Sequence, residues 1–175
     1  MPKQIWDKIL SPGEEIKFEF GLGKKYMNYI KSVWIGAGIL ILFFGLILSG
    51  KPSTILRIFS LILILFGIIF IIIGFVWGWY LKRANNFAFT NKRILILRGW
   101  LSTQLTSIDY EKITDIKAEQ EFFEKIAFNT GTLTIDTAGT NFPEVILTDI
   151  ENPYEIKKKL DEIRDNLREK YEKVI

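Results

Sequence analysis

The 175 residues contain no histidine and no cysteine, so the commonest general base is missing and carboxylates are the remaining candidates for an acid–base or metal site. Ser-His-Asp and Cys-His machinery is therefore excluded, along with the usual zinc, copper and haem ligands and any disulfide framework. Asp109, Asp115, Asp136 and Asp149 remain as carboxylates for a metal or an acid–base pair, but they show no recognisable ligand spacing. Their expected place is on solvent-facing strands and turns. GLGKK (residues 21–25) superficially resembles a phosphate loop. It lacks the GxxxxGKS/T spacing and precedes an apolar run instead of joining a strand to a helix. No catalytic, cofactor-binding or metal-binding residue is assigned, and the chain is expected not to be an enzyme.

The basic side chains are more informative by position than by number. The formal net charge is only +3, yet no Asp or Glu occurs from Phe20 through Ile108. Lys82, Arg83, Lys92, Arg93 and Arg98 close that acid-free stretch and form a candidate set of contacts to anionic lipid headgroups. Each cation near an anionic surface contributes about 1 kcal/mol, enough for five to orient a domain. The turn at residues 90–92 is too short to cradle one headgroup, so a general electrostatic contact is expected. Nucleic-acid binding is not expected, since acids and bases balance from Asp109 onward.

The elements around these residues follow from hydrophobic patterning. Two uncharged runs, between Lys31 and Lys51 and between Arg57 and Lys82, are each long enough to cross a bilayer. They predict spans at about residues 32–50 and 57–81, forming a transmembrane hairpin over residues 29–81. Lys and Arg flank the outer ends of the pair, with Lys51 and Arg57 in the short loop. Positive-inside reasoning puts both termini in the cytoplasm, making this a two-span protein of the cell membrane. Tyr26, Tyr29 and Trp34 at the start of the first span, and Trp77, Trp79 and Tyr80 at the end of the second, would share one interface. Gly38, Gly45, Gly67, Gly74 and Gly78 are candidates for a close helix-packing seam, within the hairpin or between copies of the chain. No ionisable residue interrupts either span, which argues against a proton or ion pathway.

Before the spans, residues 16–20 alternate apolar and polar as a half-buried strand does. Residues 1–28 are read as a cytoplasmic leader whose strand joins a later sheet, or else lies at the interface. Beyond residue 82, short runs such as RILILRG and TGTLTIDTAG, punctuated by Gly99 and Gly139, suggest a small antiparallel sandwich or barrel. Asn152, Pro153 and Glu155 mark a helix start, and Ile156, Leu160, Ile163, Leu167 and Val174 form one stripe. That helix, at about residues 153–172, is expected to cap the sheet. Phe122, Phe123, Ile126 and Phe128 are expected to close one end of the barrel.

Several motifs occur in an order that resembles a known family. They are Ser11-Pro12-Gly13-Glu14-Glu15, then two spans, then Thr90-Asn91-Lys92-Arg93 and the reversal Arg98-Gly99. Next come Tyr110-Glu111-Lys112-Ile113-Thr114-Asp115-Ile116 and GTLTIDTAG at residues 131–139. The layout is similar to the bacterial pleckstrin-homology domain family, also called the membrane-flanked domain or domain of unknown function 304. The resemblance runs from about residue 11 to 167 and departs in EFFEKIAFNTG, where many relatives have a glycine near Phe128. It implies an α+β membrane protein in which residues 82–175 form a PH-like domain with a C-terminal capping helix. With enzyme and nucleic-acid readings set aside, the expected role is a membrane-anchored binding or scaffolding module for a protein partner. Headgroup binding, or a regulatory place in a larger membrane complex, are the alternatives. The resemblance implies no cofactor.

Overall fold

The computed structural model describes residues 3–138 and 145–172. It divides into two units: Lys24–Arg83, and a second unit built from Met1–Gly23 together with Ala84–Ile175.

The first unit is a pair of helices, α1 (Lys24–Ser49) and α2 (Thr54–Ala84). Uncharged aliphatic runs gain most by satisfying their backbone groups internally, which a helix does. At about 1.5 Å per residue the helices are roughly 39 and 46 Å long, so both exceed the ~30 Å hydrocarbon core of a bilayer. Both are long and apolar enough to cross a membrane, and most of their apolar side chains are unburied. The two helices approach through glycine. A Cβ at Gly67 would stand 2.6 Å from Leu42 Cγ, and one at Gly38 would stand 2.7 Å from Ile71 Cγ1. Gly45 and Gly74 are nearly as tight, each at 2.9 Å against Ile64 and Trp34, whereas Gly78 meets only Lys31 at 3.5 Å. Four of the five seam glycines are thus used inside the hairpin.

The second unit is an α+β domain with seven strands. These are β1 (Ile16–Gly21), β2 (Asn85–Thr90), β3 (Arg93–Arg98), β4 (Gln104–Asp109), β5 (Ile113–Glu119), β6 (Thr130–Thr137) and β7 (Val145–Glu151). They form two antiparallel sheets, β1-β2-β3-β4 and β5-β6-β7. The helix α3 (Pro153–Glu172) packs on β5 and β6. Its Ile156 and Leu160 are buried in the main core, with Ile163 and Leu167 partly buried beside them. Asn152 stands at the start of α3 with φ +52°, but its side-chain oxygen accepts from the Asn129 amide. Val174, Gly139 and the Pro143–Glu144 pair lie outside the described residues.

β1 and β2 are adjacent and antiparallel, with Gly21 opposite Asn86 and Phe20 opposite Phe87. The helical hairpin is therefore an insertion between the first two strands of one sheet. Phe18, Phe20, Phe87 and Phe89 stack across that pair, with ring centroids 4.8–6.0 Å apart. Burying these rings favours pairing across the insertion.

β2 and β3 are buried on both faces. Ile94 and Ile96 face the main core, while Leu95, Leu97 and Ala88 pack under Trp6. Trp6 comes from a short 3-10 turn, Lys3–Lys8, and donates its indole N–H to Glu19 Oε1 at 2.8 Å. This explains why RILILR is a continuous apolar run instead of an alternating one. Each face has its own lid.

One expectation fails. Phe122, Phe123 and Ile126 do not close the barrel; they are 70%, 78% and 68% exposed on a single π-helical turn, Glu124–Phe128, and the residues just before it. The buried core is made instead by β-strand side chains and the apolar face of α3.

Candidate functional site

At one end of the first sheet, the two motifs that flank the helices in sequence interlock. Glu14 is the centre. Its Oε1 accepts from Thr90 Oγ1 at 2.9 Å and Arg93 Nε at 3.0 Å, and its Oε2 from the Ser11 backbone at 2.9 Å and Arg93 Nη2 at 3.0 Å. Burial alone would raise its carboxyl pKa. The bonds from Arg93, Ser11 and Thr90 outweigh that and hold it at about 2. Arg93 responds in kind, its pKa raised chiefly by the Glu14 bond. The neighbouring residues extend the clamp. Glu15 N–H donates to Asn91 Oδ1 at 2.8 Å, Asn91 Nδ2 to the Gly13 carbonyl at 3.0 Å, and Lys92 Nζ to the Pro12 carbonyl at 2.9 Å.

Tyr110 completes the corner. Its hydroxyl donates to the Thr90 carbonyl at 2.7 Å from a buried position. Burial, and to a lesser degree the Glu14 charge, push its pKa well above the ordinary phenol value.

Beside this corner lies an open groove of about 920 Å³. Its walls come from the β2–β3 turn, the 3-10 turn Tyr110–Lys112 and the second half of α3. Lys92, Lys112 and Arg168 alternate there with Asp109, Glu111 and Asp165. Asp109 and Lys112 pair at 3.0 Å, while Arg164 also reaches the Ile113 carbonyl at 3.3 Å. Such mixed charge, with hydrogen-bonding backbone at the rim, suits a peptide-like segment better than a single phosphate.

The five cations singled out by sequence fall in different places. Arg93 and Arg98 are the two ends of β3, roughly 17 Å apart by strand rise. Lys92 and Arg93 belong to the corner, and Arg98 donates to the Ile146 carbonyl at the other end. Lys82 and Arg83 close α2, where Arg83 lies over the Trp79 ring at 4.4 Å. Within the β domain the three arginine and lysine side chains are not one patch.

The four carboxylates are likewise dispersed. Asp109 pairs with Lys112, Asp136 with Lys117 at 3.6 Å, and Asp115 caps the Ile116 N–H at 2.8 Å. Among the described residues no group of three or more is placed to hold a metal ion. GLGKK does join a strand to a helix, β1 to α1, contrary to the sequence reading. Its Gly23 N–H is committed to the Asp149 carbonyl at 2.8 Å, and a Cβ there would collide with Thr130 at 2.2 Å. Glycine is required by that close approach.

Sequence reasoning missed the groove and the role of Glu14. A glutamate in a leader carries no sign of a partner 79 residues away.

A family model described as Bacterial PH domain matches residues 31–170, beginning after β1. Among solved structures, the chain is similar to the crystal structure of a DUF1696 family protein with a pleckstrin-homology domain from Shewanella loihica PV-4. The identity is 12%, covering 92% of this chain and 91% of that one, with a TM-score of 0.44. No curated protein matches.

Proposed function

The chain belongs to the bacterial PH domain family, and from that premise we propose a binding module that its own helical hairpin holds in the cell membrane. Both termini and the β domain lie on the cytoplasmic side, and the groove beside Tyr110 receives a protein partner. The observation that carries the reading is the insertion: two apolar helices interrupt the domain between paired strands β1 and β2. Strands on either side of the hairpin pair with each other, so the domain is tethered to the helices by two chain connections. Groove residues lie at the β2–β3 end of that sheet, away from the strand ends where the chain departs for the helices.

A photo-crosslinking residue at Glu111, in the full chain in native membranes, tests the groove. We expect one discrete protein adduct that weakens when Arg168 is changed to Glu. Adducts of equal yield from an exposed site elsewhere, such as Lys117, would overturn the assignment.

Anionic headgroups are a second reading, favoured by Arg98. This residue directly precedes Gly99, whose N–H bonds the Ala84 carbonyl at 2.7 Å, and Ala84 directly follows Lys82 and Arg83. Vesicle binding that rises with anionic lipid and falls with salt supports it; equal binding to neutral vesicles would count against it.

A further inference from the structure

Among the described residues, five large apolar side chains that the β domain leaves exposed, Trp100, Leu101, Phe122, Phe123 and Ile126, lie on connections next to its two junctions with the helices. Trp100 and Leu101, 42% and 86% exposed, occupy the β3–β4 turn. That turn is tied to the helix exit by the Gly99–Ala84 hydrogen bond. Phe122, Phe123 and Ile126 occupy the β5–β6 connection, which ends at Thr130. Thr130 is the residue against which Gly23 packs as the chain leaves for α1. Leu105, Ile146 and Tyr154 are exposed too. Leu105 is paired with Leu97, Ile146 accepts from Arg98, and Tyr154 follows the Pro153 ring that touches Gly131. The groove, by contrast, is lined mostly by polar and charged side chains.

Isolated exposed apolar residues are ordinary, but a cluster of bulky ones marks a surface that is covered. The occupant follows from chain connection. Both strand-to-helix junctions, at Gly23 and Ala84, adjoin these connections, and the helices they lead to are apolar enough to span a bilayer. Trp100 adds an amphipathic ring of the kind enriched at membrane interfaces. Glu121 and Glu124 outnumber Lys125 within the second loop, so its local charge does not favour anionic headgroups.

We infer that the Trp100–Leu101 turn and the Phe122–Phe123–Ile126 loop insert into the interfacial layer of the bilayer that the hairpin spans. They fix the domain's tilt by apolar burial, independently of headgroup charge. This inference rests on the hairpin being transmembrane.

The absence of cysteine permits a clean test. The full chain is made as Leu101→Cys, Phe122→Cys, Phe123→Cys, Glu111→Cys and Leu40→Cys variants. Each carries an environment-sensitive fluorophore and is reconstituted in neutral phosphatidylcholine vesicles with nitroxide lipids. Labels at 101, 122 and 123 should lose most of their emission to nitroxides near the headgroups. The label at 40 should be quenched by deep nitroxides, and the label at 111 by neither. If 101, 122 and 123 behave as 111 does while 40 is quenched, the inference fails and the membrane reading stands. If 40 is unquenched as well, the membrane reading fails and takes the inference with it. Labels at 101, 122 and 123 that are shielded from both nitroxide and aqueous iodide would mean that protein covers these connections, which also overturns the inference. Quenching that appears only with anionic lipid overturns the charge-independent form.

Discussion

Replacing Glu14 by glutamine should loosen the corner that joins the leader to the domain. The Glu14 side chain is fully buried, and its carboxyl is lowered from 4.5 to about 2. At about 1.4 kcal/mol per decade, that difference stabilises the folded state by about 3 kcal/mol at neutral pH. The sign is that of a depressed acid: the stabilisation is present above pH 4.5 and is lost as pH falls from there toward 2. The substituted amide would keep one acceptor but present an N–H₂ group to donors from Arg93 or Ser11, leaving buried groups unmatched. Arg93 is 26% exposed, so water recovers part of the loss.

Amide hydrogen exchange in the full chain reads this locally. At pH 7, Glu14→Gln should speed exchange at Glu15, Asn91 and Arg93 by roughly two orders of magnitude. After correction for intrinsic rates, the two proteins should converge as pH falls toward 2. Equal protection at pH 7, or a difference that does not close on acidification, would refute the reasoning.

Three further outcomes follow. Tyr110→Phe removes the bond to the Thr90 carbonyl and should cost about 1–2 kcal/mol. In the wild type the Tyr110 phenol should stay protonated above the ordinary value of about 10, by ultraviolet titration. Its contribution to stability is present below that pH and is lost as pH rises through the raised value. Gly67→Ala places a methyl 2.6 Å from Leu42 Cγ and 2.9 Å from the Gly38 carbonyl, and should cost about 1–3 kcal/mol in detergent unfolding. Gly36→Ala, with nothing within 4 Å, should not destabilise. Joining Gly23 to Ala84 by a short flexible linker should leave a folded β domain, because Gly21 and Asn86 are already paired. Loss of the Trp6 and Tyr110 environments in that variant, seen by near-ultraviolet circular dichroism, would count against a self-contained second unit.

The sequence discloses most where a single period governs. The uncharged runs are helices, the state in which a long apolar segment satisfies its backbone groups internally. The alternation in TLTID is a strand with Leu133 and Ile135 buried. Residues 16–20 alternate in the same way, and their partner is β2. Where two constraints overlap, the pattern blurs. RILILR shows no alternation because Trp6 covers its second face, and a tryptophan in a leader does not announce its target.

The β5–β6 connection misleads for a related reason. Its large apolar residues suggest core, yet Phe122, Phe123 and Ile126 are exposed and strand side chains and α3 make the core. The cations are legible as a charge gradient along the chain. Their separation into the corner, the β7 contact of Arg98 and the end of α2 depends on strand direction, which composition does not carry.

The most direct test of a PH-like module interrupted by a transmembrane hairpin is sidedness. Single cysteines replacing Lys8, Pro52 and Glu111 in the full chain can be probed with a membrane-impermeant thiol reagent in right-side-out and inverted vesicles. The account predicts that positions 8 and 111 label together in inverted vesicles, with position 52 labelling only in right-side-out ones. Labelling of 8 and 111 from opposite sides, or of all three from one side, would contradict it.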